Sequence, residues 1–193
     1  VTHHDLDTWR DRLEQHAPGE AGHSDRVSVY AVATADRLLQ GPAFPGRDSL
    51  ADLRRVRVTA ALHDIGKLRL PSELFAPDRA WSAGDVRLIR EHVLVPEELA
   101  DPELDHEAIR QHHERLDGLG YPDGLRGLDI VPLARVIAVC EAFDAMVFEA
   151  RYRKPKSEEA AIEELRRGAG TQFCPSVIEA FIAVQPLIQP LVI

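Results

Sequence analysis

His112-His113-Glu114-Arg115-Leu116-Asp117-Gly118-Leu119-Gly120-Tyr121-Pro122-Asp123-Gly124-Leu125 puts two adjacent histidines and a carboxylate at the end of a helical run, then a glycine-rich loop closed by proline. Few structural needs explain such a run. Consecutive helical residues are turned about 100° from each other, so His112 and His113 can reach two different centres on one side of the helix or flank a site for two metals. The glycines at 118, 120 and 124 suit backbone with positive φ or close approach by a ligand or partner. Upstream, His63-Asp64-Ile65-Gly66-Lys67 supplies a second adjacent ligand pair, an imidazole and a carboxylate, with a cation three residues on. Together the two stretches suggest a polynuclear metal centre.

Working outward, the chain reads as helices. A short charged helix is expected over Thr8 to Gln15, and Pro18-Gly19 breaks it. From about Ser24, Val27, Tyr30, Ala31, Thr34, Ala35 and Leu38 recur at helical spacing, with His23 at the entrance. Ser49 to His63 reads as a helix that carries His63-Asp64 into the core and stops at Gly66. Burying that pair is costly unless it is paired or binds a metal. A capped helix from Trp81-Ser82 ends near His92, and another runs from about His106 to Glu114. Pro132 opens the most apolar helix, in which Glu141 and Asp144 are the exceptions. Glu141 is the better candidate for a buried metal carboxylate, and Asp144 suits a backbone or arginine partner. Ser157 caps a further helix and Pro175 starts the last one, with Val177, Ile178, Phe181 and Ile182 on its apolar face. No periodic set of strands appears, so the expected fold is all-α.

A chain of 193 residues, 45% hydrophobic, can bury one good core. The expected division is an N-terminal helical extension over 1–22, one domain over 23–185 and an apolar tail over 186–193. The net charge of −9 argues against long nucleic acid as a partner but allows a small phosphate ligand, because bound cations reverse the local potential. With no signal-like start and no long apolar run, the reading is cytoplasmic and without membrane insertion. Cys140 and Cys174 form no CxxC pair and are given no role.

His63-Asp64, Gly66-Lys67, His112-His113-Glu114, Asp117-Gly118, Gly120-Tyr121-Pro122 and the later Gly168-Ala169-Gly170-Thr171-Gln172-Phe173 occur in one ordered series. From His23 to about Ala183 that series resembles the HD-GYP family, a branch of the HD metal-dependent phosphohydrolases. The resemblance implies an HD-type helical bundle with a buried metal centre that hydrolyses cyclic-di-GMP to linear pGpG, and in some members onward to GMP. Residue by residue it implies metal ligation by His23, His63, Asp64 and Glu141, with Asp64 bridging to a second metal held by His92, His112 and His113. Asp64 and Lys67 would be catalytic, Lys67 acting on the scissile phosphate, and Arg151 and Arg153 would hold the dinucleotide. The loop residues Asp117, Gly118, Gly120, Tyr121 and Pro122 would meet a GGDEF-type partner, and a homodimer is allowed. Imidazole and carboxylate ligands suit two divalent ions, Fe or Mn first, and do not exclude Zn.

The sequence departs from the family pattern in places. Glu141 stands where Asp is usual, Val93 where Pro is usual, and Ala150-Arg151-Tyr152-Arg153 replaces Arg-Pro-Tyr-Arg. Four residues before His23, where some members carry a third-metal Glu, there is Gly19 with Glu20 beside it, so two metals are expected. The alternatives are a degenerate HD-GYP module that binds nucleotide or a GGDEF-type partner without turnover, and an HD hydrolase acting on mononucleotides, which the Gly-Tyr-Pro loop disfavours.

Overall fold

The computed structural model describes residues 3–41, 44–76, 79–96, 102–148 and 154–188. Among them are eight α-helices: α1 (His3–His16), α2 (Glu20–Gln40), α3 (Leu53–Ala61), α4 (Ala83–Ile89), α5 (His106–Gln111), α6 (Pro132–Val147), α7 (Glu158–Arg167) and α8 (Pro175–Ile188). The described residues contain no strand, only one isolated bridge between Ala169 and Phe173, so the all-α expectation holds. None of these helices is long and apolar enough to cross a membrane.

The helix starts follow their local chemistry. Asp52, Ser82, Asp105 and Ser157 each accept a backbone N–H of the first turn, and Pro132 sits at the first turn of α6. The α2 helix is longer than its periodicity predicted. It begins at Glu20 after Gly19, whose φ of 95° turns the chain, and Glu14 of α1 accepts from Gly19 N–H at 2.9 Å and Ala21 N–H at 3.0 Å.

At the centre, α2, α6 and α8 meet through Tyr30, Phe143 and Phe181, all 0% exposed, with ring centroids 4.9–5.6 Å apart. A second cluster joins Leu13 of α1 to Val58, Leu62, Ile65, Leu104 and Ile109. These two cores hold α2, α3, α5 and α6 around one site.

Three expectations need correction. The helix expected over Ser49 to His63 is a 3-10 turn, Arg47–Leu50, followed by α3. It ends at Ala61 rather than at Gly66, so His63 and Asp64 lie in the turn leading to the 3-10 segment Ile65–Arg69. Gly66 is there for space: a Cβ would sit 1.8 Å from the His92 carbonyl oxygen and 2.7 Å from that of Leu94. Finally, α8 runs through Pro186 to Ile188, so the first residues of the expected tail are helical. The remainder of the tail, and Arg151 and Arg153, lie outside the described residues.

Candidate metal centre

The bare glycine backbone at position 66 lets the turn after α3 lie directly on the 3-10 turn Arg90–Val93. Asp64 and His92 are thereby brought to 3.2 Å, Oδ1 to Nε2. The other carboxylate oxygen, Oδ2, is 3.4 Å from His63 Nε2. Asp64 therefore faces His92 with one oxygen and His63 with the other.

Orientation of the rings is fixed from behind. The Nδ1 atoms of His63, His92 and His112 lie 2.8, 2.6 and 2.6 Å from the carbonyls of Ala60, Ile89 and Ile109, each three residues earlier. A carbonyl only accepts, so Nδ1 carries the proton in all three rings and Nε2 is left as a lone pair. The lone pairs of His92 and His112 face each other at 3.3 Å, Nε2 to Nε2, His113 Nε2 lies 3.1 Å from His92 Nε2, and His63 Nε2 is buried with no hydrogen bond. Two acceptors facing each other at this distance repel unless a cation lies between them. The donor set fits a divalent metal on that ground.

His23 is held in the same way by a stronger partner. Its Nδ1 is 2.7 Å from Asp144 Oδ2, and Asp144 also takes two hydrogen bonds from Arg26, at 2.7 and 2.9 Å. A carboxylate behind an imidazole fixes its tautomer and raises its ligand basicity. Three groups of possible ligand atoms lie within 4.8 Å: His92, His112 and His113; His23, His63 and Glu141; and His63, Asp64 and His112. All seven residues expected as ligands are thus brought together, and the groups share His63 and His112.

Lys67 Nζ is 2.8 Å from both Asp64 Oδ2 and Glu20 Oε1. Burial would push its pKa down, but Asp64 and then Glu20 outweigh this and raise it, so it is a fixed cation. Asp64 is held well below the usual carboxylate range: burial opposes ionisation, and the Lys67 ammonium beside it overcomes that. Burial, then the neighbouring His113, keeps His112 well below the usual imidazole value. Burial and His92 lower His113 to about 3. His23 goes the other way, because Asp144, Glu20 and Asp64 together outweigh the effect of its burial.

The loop after His113 turns inward. Tyr121 stacks on His113 with centroids 4.8 Å apart, and the Arg90 guanidinium lies 4.9 Å from its ring. Gly120 allows this, since a Cβ would meet the backbone of His113, Glu114 and Arg115 at 2.5–2.6 Å. Glu114, which sequence reasoning left without a role, accepts from the amides of Asp123, Gly124 and Leu125 at 2.6–3.1 Å. A buried carboxylate just before a loop with unpaired amide donors was the available signal. Asp117 is paired with Arg115 and receives Leu119 N–H. Leu119 is 76% exposed.

A helical body that sets an adjacent His–Asp pair against a ring of further imidazoles defines a protein class, the HD type of metal-site domain. A family profile described as an HD domain matches residues 10–177. A cyclic di-GMP phosphodiesterase of Thermotoga maritima is 28% identical over 186 residues, covering 93% of this chain and 47% of that protein. A 3'3'-cGAMP-specific phosphodiesterase of Vibrio cholerae is 28% identical over 176 residues, covering 88% of this chain and 32% of that protein. Among solved structures, an HDG"Y"P protein from Bdellovibrio bacteriovorus superposes with a TM-score of 0.64 at 22% identity, covering 86% of this chain and 52% of that one, a likeness of fold. The chain belongs to the HD-domain family, in its HD-GYP branch. It spans less than half the length of these curated relatives.

Proposed function

We propose that this chain is the catalytic domain of a metal-dependent phosphodiesterase that opens cyclic-di-GMP to linear pGpG, with GMP as the product of a second cut. The observation that supports it best is the convergence of imidazole Nε2 atoms around Asp64. One ion would be held by His23, His63, Asp64 and Glu141, and a second by Asp64, His92, His112 and His113. Fe or Mn suits this donor set, and Zn is compatible with it. When bound, such ions supply activation of the attacking water and positive charge against the reacting phosphate.

The chain's own residues do the rest. Lys67 keeps a permanent positive charge beside Asp64, placed to offset charge that develops on a phosphate oxygen. Glu20 holds Lys67 from the other side and has one buried oxygen without a hydrogen bond. Asp144 and the three backbone carbonyls keep the imidazoles in the ligating tautomer. Arg151 and Arg153 are proposed to hold the dinucleotide. The loop Asp117 to Leu125 is proposed as the surface for a GGDEF-type partner, with exposed Leu119, rather than inward-turned Tyr121, as its contact.

The test is product analysis with cyclic-di-GMP on reduced, metal-loaded protein, with and without chelator. Chelator-sensitive appearance of pGpG supports the proposal. Lys67→Ala should then lower kcat more than it raises KM, as expected of a group that acts on transition-state charge. Binding without cleavage would make the chain a non-catalytic nucleotide module.

A further inference from the structure

Donors are scarce in the cavity of about 610 Å³ that holds the imidazoles. Glu20, Asp64, Glu141 and Asp144 in its wall are acceptors when ionised, and His92 offers a lone pair at Nε2. Lys67 has given two N–H bonds to Asp64 and Glu20, which leaves it one. Arg26 spends Nε and Nη2 on Asp144, and the Trp81 indole N–H goes to the Leu74 carbonyl. Tyr121 belongs to the same wall, and its hydroxyl has no hydrogen-bond partner among the described residues. The ring behind that hydroxyl is held in place. The Tyr121 N–H donates to the His113 carbonyl at 3.2 Å, the ring stacks on His113 with an interplanar angle of 25°, and the Arg90 guanidinium lies over it. Burial first, then Glu141 and Asp64, push the phenol pKa up, while Arg90 and Lys67 pull it down, so the hydroxyl lies within electrostatic reach of the Asp64–Lys67 pair. Stacking on His113 explains an aromatic ring at this position, which Phe would supply as well. It does not explain the oxygen.

We propose that the Tyr121 hydroxyl is a hydrogen-bond donor to the phosphate of the substrate, acting beside Lys67. This rests on the phosphodiesterase reading of the site and adds to it a second group on the reacting phosphate. The phenol keeps its proton throughout: it donates to a non-bridging oxygen and leaves proton transfer to other groups. Because the ring is already fixed, the donor is in place before charge develops, which is the condition for stabilising a transition state electrostatically. Tyr121 thereby has two separable parts, a ring that supports His113 and a hydroxyl that holds phosphate.

Tyr121→Phe separates the two, since it keeps the ring and removes only the oxygen. Wild type and Tyr121→Phe are compared in the full chain, with metal affinity measured by competition against a fluorescent chelator and inorganic phosphate affinity by calorimetry on the metal-loaded proteins. Metal affinity should be unchanged, phosphate affinity should fall about tenfold, and kcat/KM for cyclic-di-GMP should fall roughly ten- to a hundred-fold, as for loss of one hydrogen bond to a charged group. A wild-type kcat/KM in Tyr121→Phe overturns the assignment, and so does a loss of metal affinity, which makes the hydroxyl part of the support of His113. If the wild type cleaves nothing, the phosphate titration decides. Weaker phosphate binding in the variant then upholds the donor and removes the phosphodiesterase reading instead, and equal binding overturns the donor.

Discussion

Removing the carboxylate of Asp144 should damage stability and metal affinity together. Asp144 is 1% exposed and serves Arg26 through two hydrogen bonds and His23 through a third. Taking away one member of a buried ion pair costs about 3–5 kcal/mol, because the other charge is left without compensation. The Arg26 side chain is 22% exposed, and water recovers part of that loss, which puts Asp144→Ala near the lower figure, about 3 kcal/mol. For a domain of this size such a loss lowers Tm by roughly 6–12 °C. His23 simultaneously loses the acceptor that fixes its tautomer, a change that costs about 10- to 100-fold in metal affinity. Urea denaturation of the chelated protein gives the first quantity, and competition against a fluorescent chelator gives the second. A variant with wild-type metal affinity and a clear stability loss would show that Asp144 serves Arg26 alone, refuting its role behind His23.

Gly66→Ala places a Cβ 1.8 Å from the His92 carbonyl oxygen, so the two turns must separate. We expect a stability loss of about 1–3 kcal/mol and weaker metal binding as His92 leaves Asp64; unchanged metal affinity would contradict the role given to that contact. Tyr121→Ala removes the ring stacked on His113 and should weaken metal affinity by about tenfold, measured by the same competition assay; an unaffected affinity would return Tyr121 to a purely partner-facing role. The metal-free protein should lose stability as pH falls from about 6.5 towards 4, because the unfolded histidines take up protons that His112 and His113, with depressed pKa values, refuse in the fold. His113 alone contributes a slope of about 1.4 kcal/mol per pH unit in that window. The raised pKa of His23 gives stability fully present below about 6.5 and lost only at higher pH, and the depressed Asp64 matters only below its unfolded value, so neither cancels the slope. Equal urea midpoints at pH 5 and pH 7 would refute it.

The ligand pairs were legible because their chemistry is written in adjacent residues: His63 with Asp64, and His112 with His113. Helix starts at Ser82, Pro132 and Ser157 were legible because capping is local. What could not be read depends on approach between distant segments. Asp144 reaches Arg26 and His23 across 118 and 121 residues. Glu20 reaches Lys67 only because Gly19 starts α2 one turn earlier than its apolar spacing shows. Gly66 looked like a helix stop, and its true constraint, the His92 backbone, has no local signature. The glycine spacing places Tyr121 in a partner loop beside the site and carries no signal that its ring stacks on His113. Arg151 and Arg153 lie outside the described residues, and their role stays a proposal.

The most direct measurement of the central claim is the metal stoichiometry of freshly purified, reduced protein prepared without chelator, for wild type and Asp64→Ala side by side. With one oxygen of Asp64 facing His63 and the other facing His92, two divalent ions are expected per wild-type chain and none retained in Asp64→Ala. One ion per wild-type chain, or a variant that keeps one tightly, would contradict it.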